Sequence, residues 1–152
     1  MATKVADRAL LDTNVLLAAT DEGRSEHAKS LAALERWPAL GTALYTSGQV
    51  LREYLVVSTR PVGLNGLGLD RSDALLNART FRGRLRLLEE TSKTLDTLFE
   101  LLGEIDCSGK QIHDANLVAT ALAHGIEAIV TLNVDDLSRF EARVRVIDLA
   151  ST

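Results

Sequence analysis

The chain has 152 residues, 46% hydrophobic and 25% charged, which suits one globular domain and excludes a disordered or collagen-like chain. Its single cysteine, Cys107, excludes an internal disulfide, and no apolar run approaches the ~20 residues needed to cross a bilayer. The net charge of −4 excludes bulk attraction to nucleic acid or anionic lipid, so contact with a polyanion needs a local basic surface or bound cations.

In chain order, the start lacks an apolar leader segment and Asp12 interrupts the first apolar stretch, so a cytoplasmic protein is expected. Ala9, Leu10 and Leu11 read as a short buried strand ending at Asp12. Ser25 is a plausible cap for a helix running to Trp37, where Pro38 stops it. Residues 43–46 read as a second strand. From Ser47, a plausible cap, Val50, Tyr54 and Leu55 recur at helical spacing toward Arg60. The segment 61–70 holds Gly63, Gly66 and Gly68 and reads as a loop, either a flap or a connector.

A charged helix is expected over 71–83, then a strand over 84–88 with its arginines on one face. Five arginines (Arg71, Arg79, Arg82, Arg84 and Arg86) face one acid, Asp73, in 71–88, which makes this segment a candidate basic surface or a solvated face. Leu95, Leu98, Phe99 and Leu102 form a helical stripe behind Ser92, with Gly103 placed to end it. Ser108 and Gln111 match a capping box for a helix to Gly125. Residues 128–132 read as a fully apolar strand, followed by a short helix over 134–142 and a last strand over 144–147.

Strands alternating with helices imply a mostly parallel sheet covered on both faces, with ligands bound outside the carboxyl ends of the strands. Several chemistries are excluded by their missing motifs. There is no P-loop, no dinucleotide-binding glycine turn and no serine-hydrolase elbow. His113 and His124 lie roughly 16 Å apart along one helix and cannot share a metal, so they read as helix-end or packing residues.

Carboxylates remain. Asp12, leaving a buried strand between apolar neighbours, is costly unless it is paired, hydrogen-bonded or metal-bound, although Asp12 or Asn14 also reads as a plain helix cap. Glu53, Asp114 and Asp136 each have an ordinary reading too: a solvated helix residue, a first-turn acid and a capping acid. Topology nevertheless gathers all four at one mouth, where like charges repel and a hard divalent cation relieves the repulsion. An all-oxygen donor set suits Mg2+ or Mn2+.

Leu11-Asp12-Thr13-Asn14-Val15, Ser47 with Glu53, His113-Asp114-Ala115, and Thr131 with Asn133 and Asp136, in that order, resemble the PIN-domain ribonucleases, and among them the VapC-type toxins of toxin–antitoxin pairs. The resemblance spans nearly the whole chain and implies one PIN-like α/β domain over 1–152, a parallel sheet of order 3-2-1-4-5 between helices. It implies Asp12, Glu53, Asp114 and Asp136 as catalytic, metal-binding acids, with Asn14, Ser47, Thr131 and Asn133 supporting them. The adjacent Asp135 leaves the fourth acid open between two positions, and Leu137 stands where the family often has phenylalanine.

The implied activity is metal-assisted hydrolysis of RNA phosphodiester bonds. The implied partners are an RNA substrate, a small VapB-like antitoxin and a second copy of the chain. RNA contact falls to Arg82, Arg84, Arg86 and Lys110, with Arg52 a further candidate; aromatics are only 4% of the chain, which disfavours base stacking. Trp37 and Phe81 are candidates for a partner surface. Two other readings compete: a catalytically idle PIN-like module that binds RNA or protein, and a different magnesium-dependent α/β enzyme such as an aspartyl phosphatase. The latter is weakened because Asn14 stands where that pattern wants an acid.

Overall fold

A computed structural model describes residues 3–152. Five strands, β1 (Arg8–Leu11), β2 (Ala43–Ser47), β3 (Arg86–Leu88), β4 (Ala128–Thr131) and β5 (Arg145–Asp148), form one sheet of order β3-β2-β1-β4-β5 with every pairing parallel. The expected strand order is thus observed. Parallel strands covered on both faces need apolar side chains on both. The central strands comply: Ala9, Leu10 and Leu11 are wholly buried, and so are Ala128, Ile129 and Val130. The edge strands β3 and β5 start with exposed arginines, Arg86 and Arg145.

Among the described residues, seven α-helices connect and cover the strands: α1 (Thr13–Thr20), α2 (His27–Arg36), α3 (Gly48–Thr59), α4 (Arg71–Arg84), α5 (Ser92–Glu104), α6 (Gln111–Ala123) and α7 (Val134–Leu137). Asp12 caps α1, its Oδ1 accepting from Thr13 N at 2.7 Å. Ser47 caps α3 by accepting from Val50 N at 3.3 Å. Asp12 directly follows β1 and Ser47 is the last residue of β2, so each strand turns at once into a helix. Register places Leu11 beside Val130 and Thr131 beside Asp148, which brings the carboxyl ends of β1, β4 and β5 level.

Local departures from the sequence reading have local causes. Ser25 does not cap α2: the helix begins two residues later, behind Glu26, in a turn tied by His27 Nδ1 to Ala18 O at 2.8 Å. Arg84 ends α4 instead of opening a strand, because burying Leu85 turns the chain before Arg86; the alternating arginine face is not formed. Gly103 lies inside α5, which runs to Glu104 and starts from a Thr91–Thr94 capping box. Only half of the box expected for α6 forms, with Ser108 N donating to Gln111 Oε1 at 3.1 Å. Phe81 is core, edge-on to the buried Tyr54 ring at 5.2 Å, and offers no surface to a partner. Trp37 is partly buried and packs against the core.

Candidate active site

At the carboxyl ends of β1 and β4 a cavity of about 340 Å³ is lined by Asp12, Glu53, Asp114 and Asp136. Thr13, Asn14 and Arg60 complete its polar wall, and Leu17, Val56 and Val57 supply the apolar one. The four acids come from four separate segments: the cap of α1, the second turn of α3, the first turn of α6 and α7. Asp136 lines this cavity and Asp135 does not, which separates the two adjacent acids by position.

Neutral donors hold three of the four carboxylates. Asp12 Oδ2 accepts from Thr131 Oγ1 at 2.9 Å and from Asn14 Nδ2 at 3.3 Å. Asn14 also donates to Thr131 Oγ1 at 3.0 Å and accepts from Leu132 N at 3.0 Å, so it rivets the start of α1 to the end of β4. Glu53 Oε2 accepts from Thr13 Oγ1 at 2.9 Å, and its Oε1 accepts from Gln49 Nε2 at 2.9 Å. Asp136 Oδ2 accepts from Asn133 Nδ2 at 2.6 Å, while Asn133 N donates to Thr131 Oγ1 at 3.0 Å. Ser47 is placed differently: its hydroxyl serves the backbone of α3 and meets none of the acids, so it positions Glu53 only through the helix.

Sequence reasoning missed Thr13 and Gln49. Thr13 is hidden in the motif beside Asp12. Gln49 sits one turn before Glu53 on α3, a spacing that brings the two side chains together. The buried Gln49 also donates to His113 O at 2.8 Å and accepts from Asn116 Nδ2 at 2.7 Å, joining α3 to the helix that carries Asp114.

None of the three ion pairs among the described residues involves an acid of the cavity. The electrostatic consequence is plain. Burial pushes the Asp12 carboxyl up from its ordinary range, against the hydrogen bonds from Thr131 and Thr13, and the charges of Glu53 and Asp136 push it further. Burial likewise raises Asp114 to about 6, with Asp136, Asp12 and Glu53 adding to the shift and Arg139 opposing it.

Among the described residues, no three acidic, histidine or cysteine side chains are already gathered closely enough to cage an ion. The donor set still fits one: four carboxylates on a single cavity, all oxygen, without a basic partner, and with two protonation equilibria shifted toward the neutral form.

The basic residues expected to meet RNA divide. Lys110 precedes Asp114 by one helical turn and lies at the acid end. Arg84 and Arg86 line a different cavity with Pro38, Gly41 and Ala43, at the amino ends of β2 and β3, and Arg82 lies on the last turn of α4 beside them. Arg86 also stacks over the Tyr45 ring, 6.0 Å from its centre. Arg84 and Arg86 therefore lie at the opposite end of the sheet from the carboxylates.

Residues 9–142 match the family model of the PIN domain. No curated protein matches the sequence. Among solved structures the chain is similar to VapBC2 of Rickettsia felis bound to a DNA fragment from its promoter, at 19% identity and a TM-score of 0.67, covering 91% of this chain and 96% of that one. It is similar to VapBC-1 of nontypeable Haemophilus influenzae at 15% identity and a TM-score of 0.65, covering 94% and 98%. It is also similar to VapC20 of Mycobacterium tuberculosis, a toxin that cleaves the sarcin–ricin loop, at 20% identity and a TM-score of 0.59, covering 80% and 86%.

Proposed function

The chain belongs to the PIN-domain family, and on that premise we propose that it is a metal-dependent endoribonuclease, the toxin of a type II toxin–antitoxin pair. The observation that carries this reading is the meeting of Asp12, Glu53, Asp114 and Asp136 on one cavity with, among the described residues, no basic side chain paired to any of them. Mutual repulsion of this kind is uneconomical for a structural role and useful for holding a cation against a phosphodiester.

Asp12 and Asp114 would be the main ligands of Mg2+ or Mn2+, with Glu53 and Asp136 completing the set. A divalent cation bound there supplies a water acidified toward neutrality and stabilises charge on the departing oxygen. The rest falls to the chain's own residues. Thr131 and Asn14 aim Asp12, Thr13 and Gln49 aim Glu53, and Asn133 aims Asp136, so that ligand geometry is set before substrate arrives. Asp114, whose pKa lies near 6, must release its proton to bind a cation, so occupancy falls as the pH drops toward that value. Attack of water on phosphorus with loss of the 3′ oxygen leaves a 5′-phosphate and a 3′-hydroxyl.

The relatives similar in structure include VapBC complexes, which supports a small antitoxin as partner. Val56, Val62 and Leu64, exposed on α3 and the loop after it, are apolar surface that such a partner would cover. A homodimer and a cytoplasmic location belong to the same reading; no helix among the described residues is long and apolar enough to cross a membrane. The test is incubation of the purified protein with total RNA, with and without a chelator, followed by mapping of fragment ends. Chelator-sensitive cleavage leaving 5′-phosphates is expected. RNA that is bound but intact at every cation tried would instead make the chain an idle binding module.

A further inference from the structure

Among the described residues, Arg60 is the one basic side chain on the wall of the acidic cavity. It follows Glu53 by seven residues, so both lie on the same face of α3, with Val56 and Val57 between them; the helical rise separates their backbones by about 10 Å. It is exposed and forms no ion pair among the described residues. A guanidinium that served to neutralise the carboxylates would be paired with one of them.

Its backbone, by contrast, is firmly held. Arg60 turns out of α3 with φ −65° and ψ 141°. The segment 61–70 then folds back and supplies donors to carbonyls at the helix end: Leu67 N to Val57 O at 3.1 Å, Leu69 N to Ser58 O at 2.9 Å and Gly68 N to Arg60 O at 2.9 Å. Gly66 is what permits this closure. A β-carbon there would lie 1.9 Å from Arg60 O and 2.5 Å from Arg60 Cβ, so no other residue fits without moving the backbone of Arg60.

We propose that Arg60 binds a phosphate of the RNA strand next to the one held at the acids, and that the 61–70 loop fixes it there through the close approach of Gly66. The inference rests on the nuclease reading of the cavity and adds a substrate contact to it. A polyanion approaching four carboxylates needs a cationic contact on the protein side, and a guanidinium matches phosphate geometry in two parallel hydrogen bonds. The loop is then a strap that sets the register of the strand across the site.

The experiment measures binding of a fluorescent single-stranded oligoribonucleotide to the full-length Asp12→Asn protein, alone and with Arg60→Ala, Arg60→Lys or Gly66→Ala added, across a salt series. Asp12→Asn silences cleavage while keeping a good helix cap, so affinity is read directly. Arg60→Ala is expected to weaken binding roughly 5–20-fold, the low range for a charge-assisted hydrogen bond at an exposed site, and to reduce the salt slope by about 0.7. Arg60→Lys should recover the slope and only part of the affinity. Gly66→Ala should weaken binding with Arg60 still present. Equal affinity and slope with and without Arg60, or no RNA binding by either protein, overturns the proposal. Cleavage by the unmodified chain is scored separately: a protein that cuts RNA but ignores Arg60→Ala defeats this inference alone, and one that cuts nothing defeats the nuclease reading.

Discussion

The two ends of the same sheet treat charge in opposite ways. At the amino ends of β1, β4 and β5 the charged groups are partnered. Glu127 Oε1 accepts from Asp7 N and from Arg8 N at 3.1 Å, Arg8 Nη2 donates to Gly125 O at 2.5 Å, Arg145 Nη1 donates to Val5 O at 2.7 Å, and Lys4 pairs with Asp7. At the carboxyl ends four acids share a cavity, three of them oriented by hydroxyls and amides that carry no charge. Asp148, level with them at the end of β5, shows what an ordinary acid does there: it accepts from Ala150 N at 3.0 Å and Ser151 Oγ at 2.8 Å and closes a turn. Satisfied charge marks one end of the sheet, and largely oriented but unneutralised charge marks the end to which we assign the proposed cation.

The comparison breaks first at Asp12. Asp12→Asn should lower RNA cleavage far more than the roughly 10–100-fold typical of a residue that merely orients a ligand, while the fold persists because asparagine caps helices well. Thermal melting and a cleavage assay on the same preparation check both halves. A variant that cleaves as well as the parent would place Asp12 among the structural caps.

The orienting groups come next. Thr131→Val removes the hydroxyl that donates to Asp12 and accepts from Asn14 and Asn133, and Gln49→Leu removes the amide behind Glu53. Each should reduce cleavage about 10–100-fold, and added cation should restore much of the loss if it arises from weaker metal affinity. Titration of activity against magnesium measures this directly.

Smaller still is the effect of charge on stability. Asp114 has a pKa of about 6 in the folded chain against an ordinary value of 3.8. Between those values the folded state binds more protons than the unfolded one, so stability falls as pH rises through that window and the cost is complete above about pH 6. In chelator at pH 7.5, Asp114→Asn should therefore stabilise the chain by about 1 kcal/mol, after allowing for partial solvent screening and for the lost charge at the helix start. At a pH below about 3.8 the gain should vanish. Denaturant unfolding at the two pH values gives the answer, and a variant less stable at pH 7.5 would show that the cavity is not under electrostatic strain.

How much of this was readable beforehand depends on range. The strands were legible because parallel, doubly covered strands need unbroken apolar runs, and the four acids were legible because such strands deliver their termini to one edge. The ends of helices were harder. Ser25 has the right chemistry for a cap, yet packing of His27 against the end of α1 moved the start of α2, and Gly103 was absorbed by a helix held through Leu98 and Leu101. Gln49 was invisible for a different reason: its partners His113 and Asn116 are more than sixty residues away, and no local pattern announces a contact at that separation. The position of Arg84 and Arg86 was not legible either, since composition gives the charge of a segment and only topology gives the end of the sheet on which it lies.

That last point yields the smallest expected effect and the sharpest control. If function resides at the carboxyl ends, a double Arg84→Ala and Arg86→Ala change removes two positive charges from a chain that is already acidic, yet touches only the far cavity and the Tyr45 ring. Long-range attraction of RNA would weaken slightly, but at physiological ionic strength a charge more than about 8 Å away is largely screened. Initial cleavage rates at subsaturating RNA should stay within about twofold of the parent. A loss of tenfold or more would mean that the strand wraps around the sheet edge to reach both ends, and the two ends could no longer be assigned separate tasks.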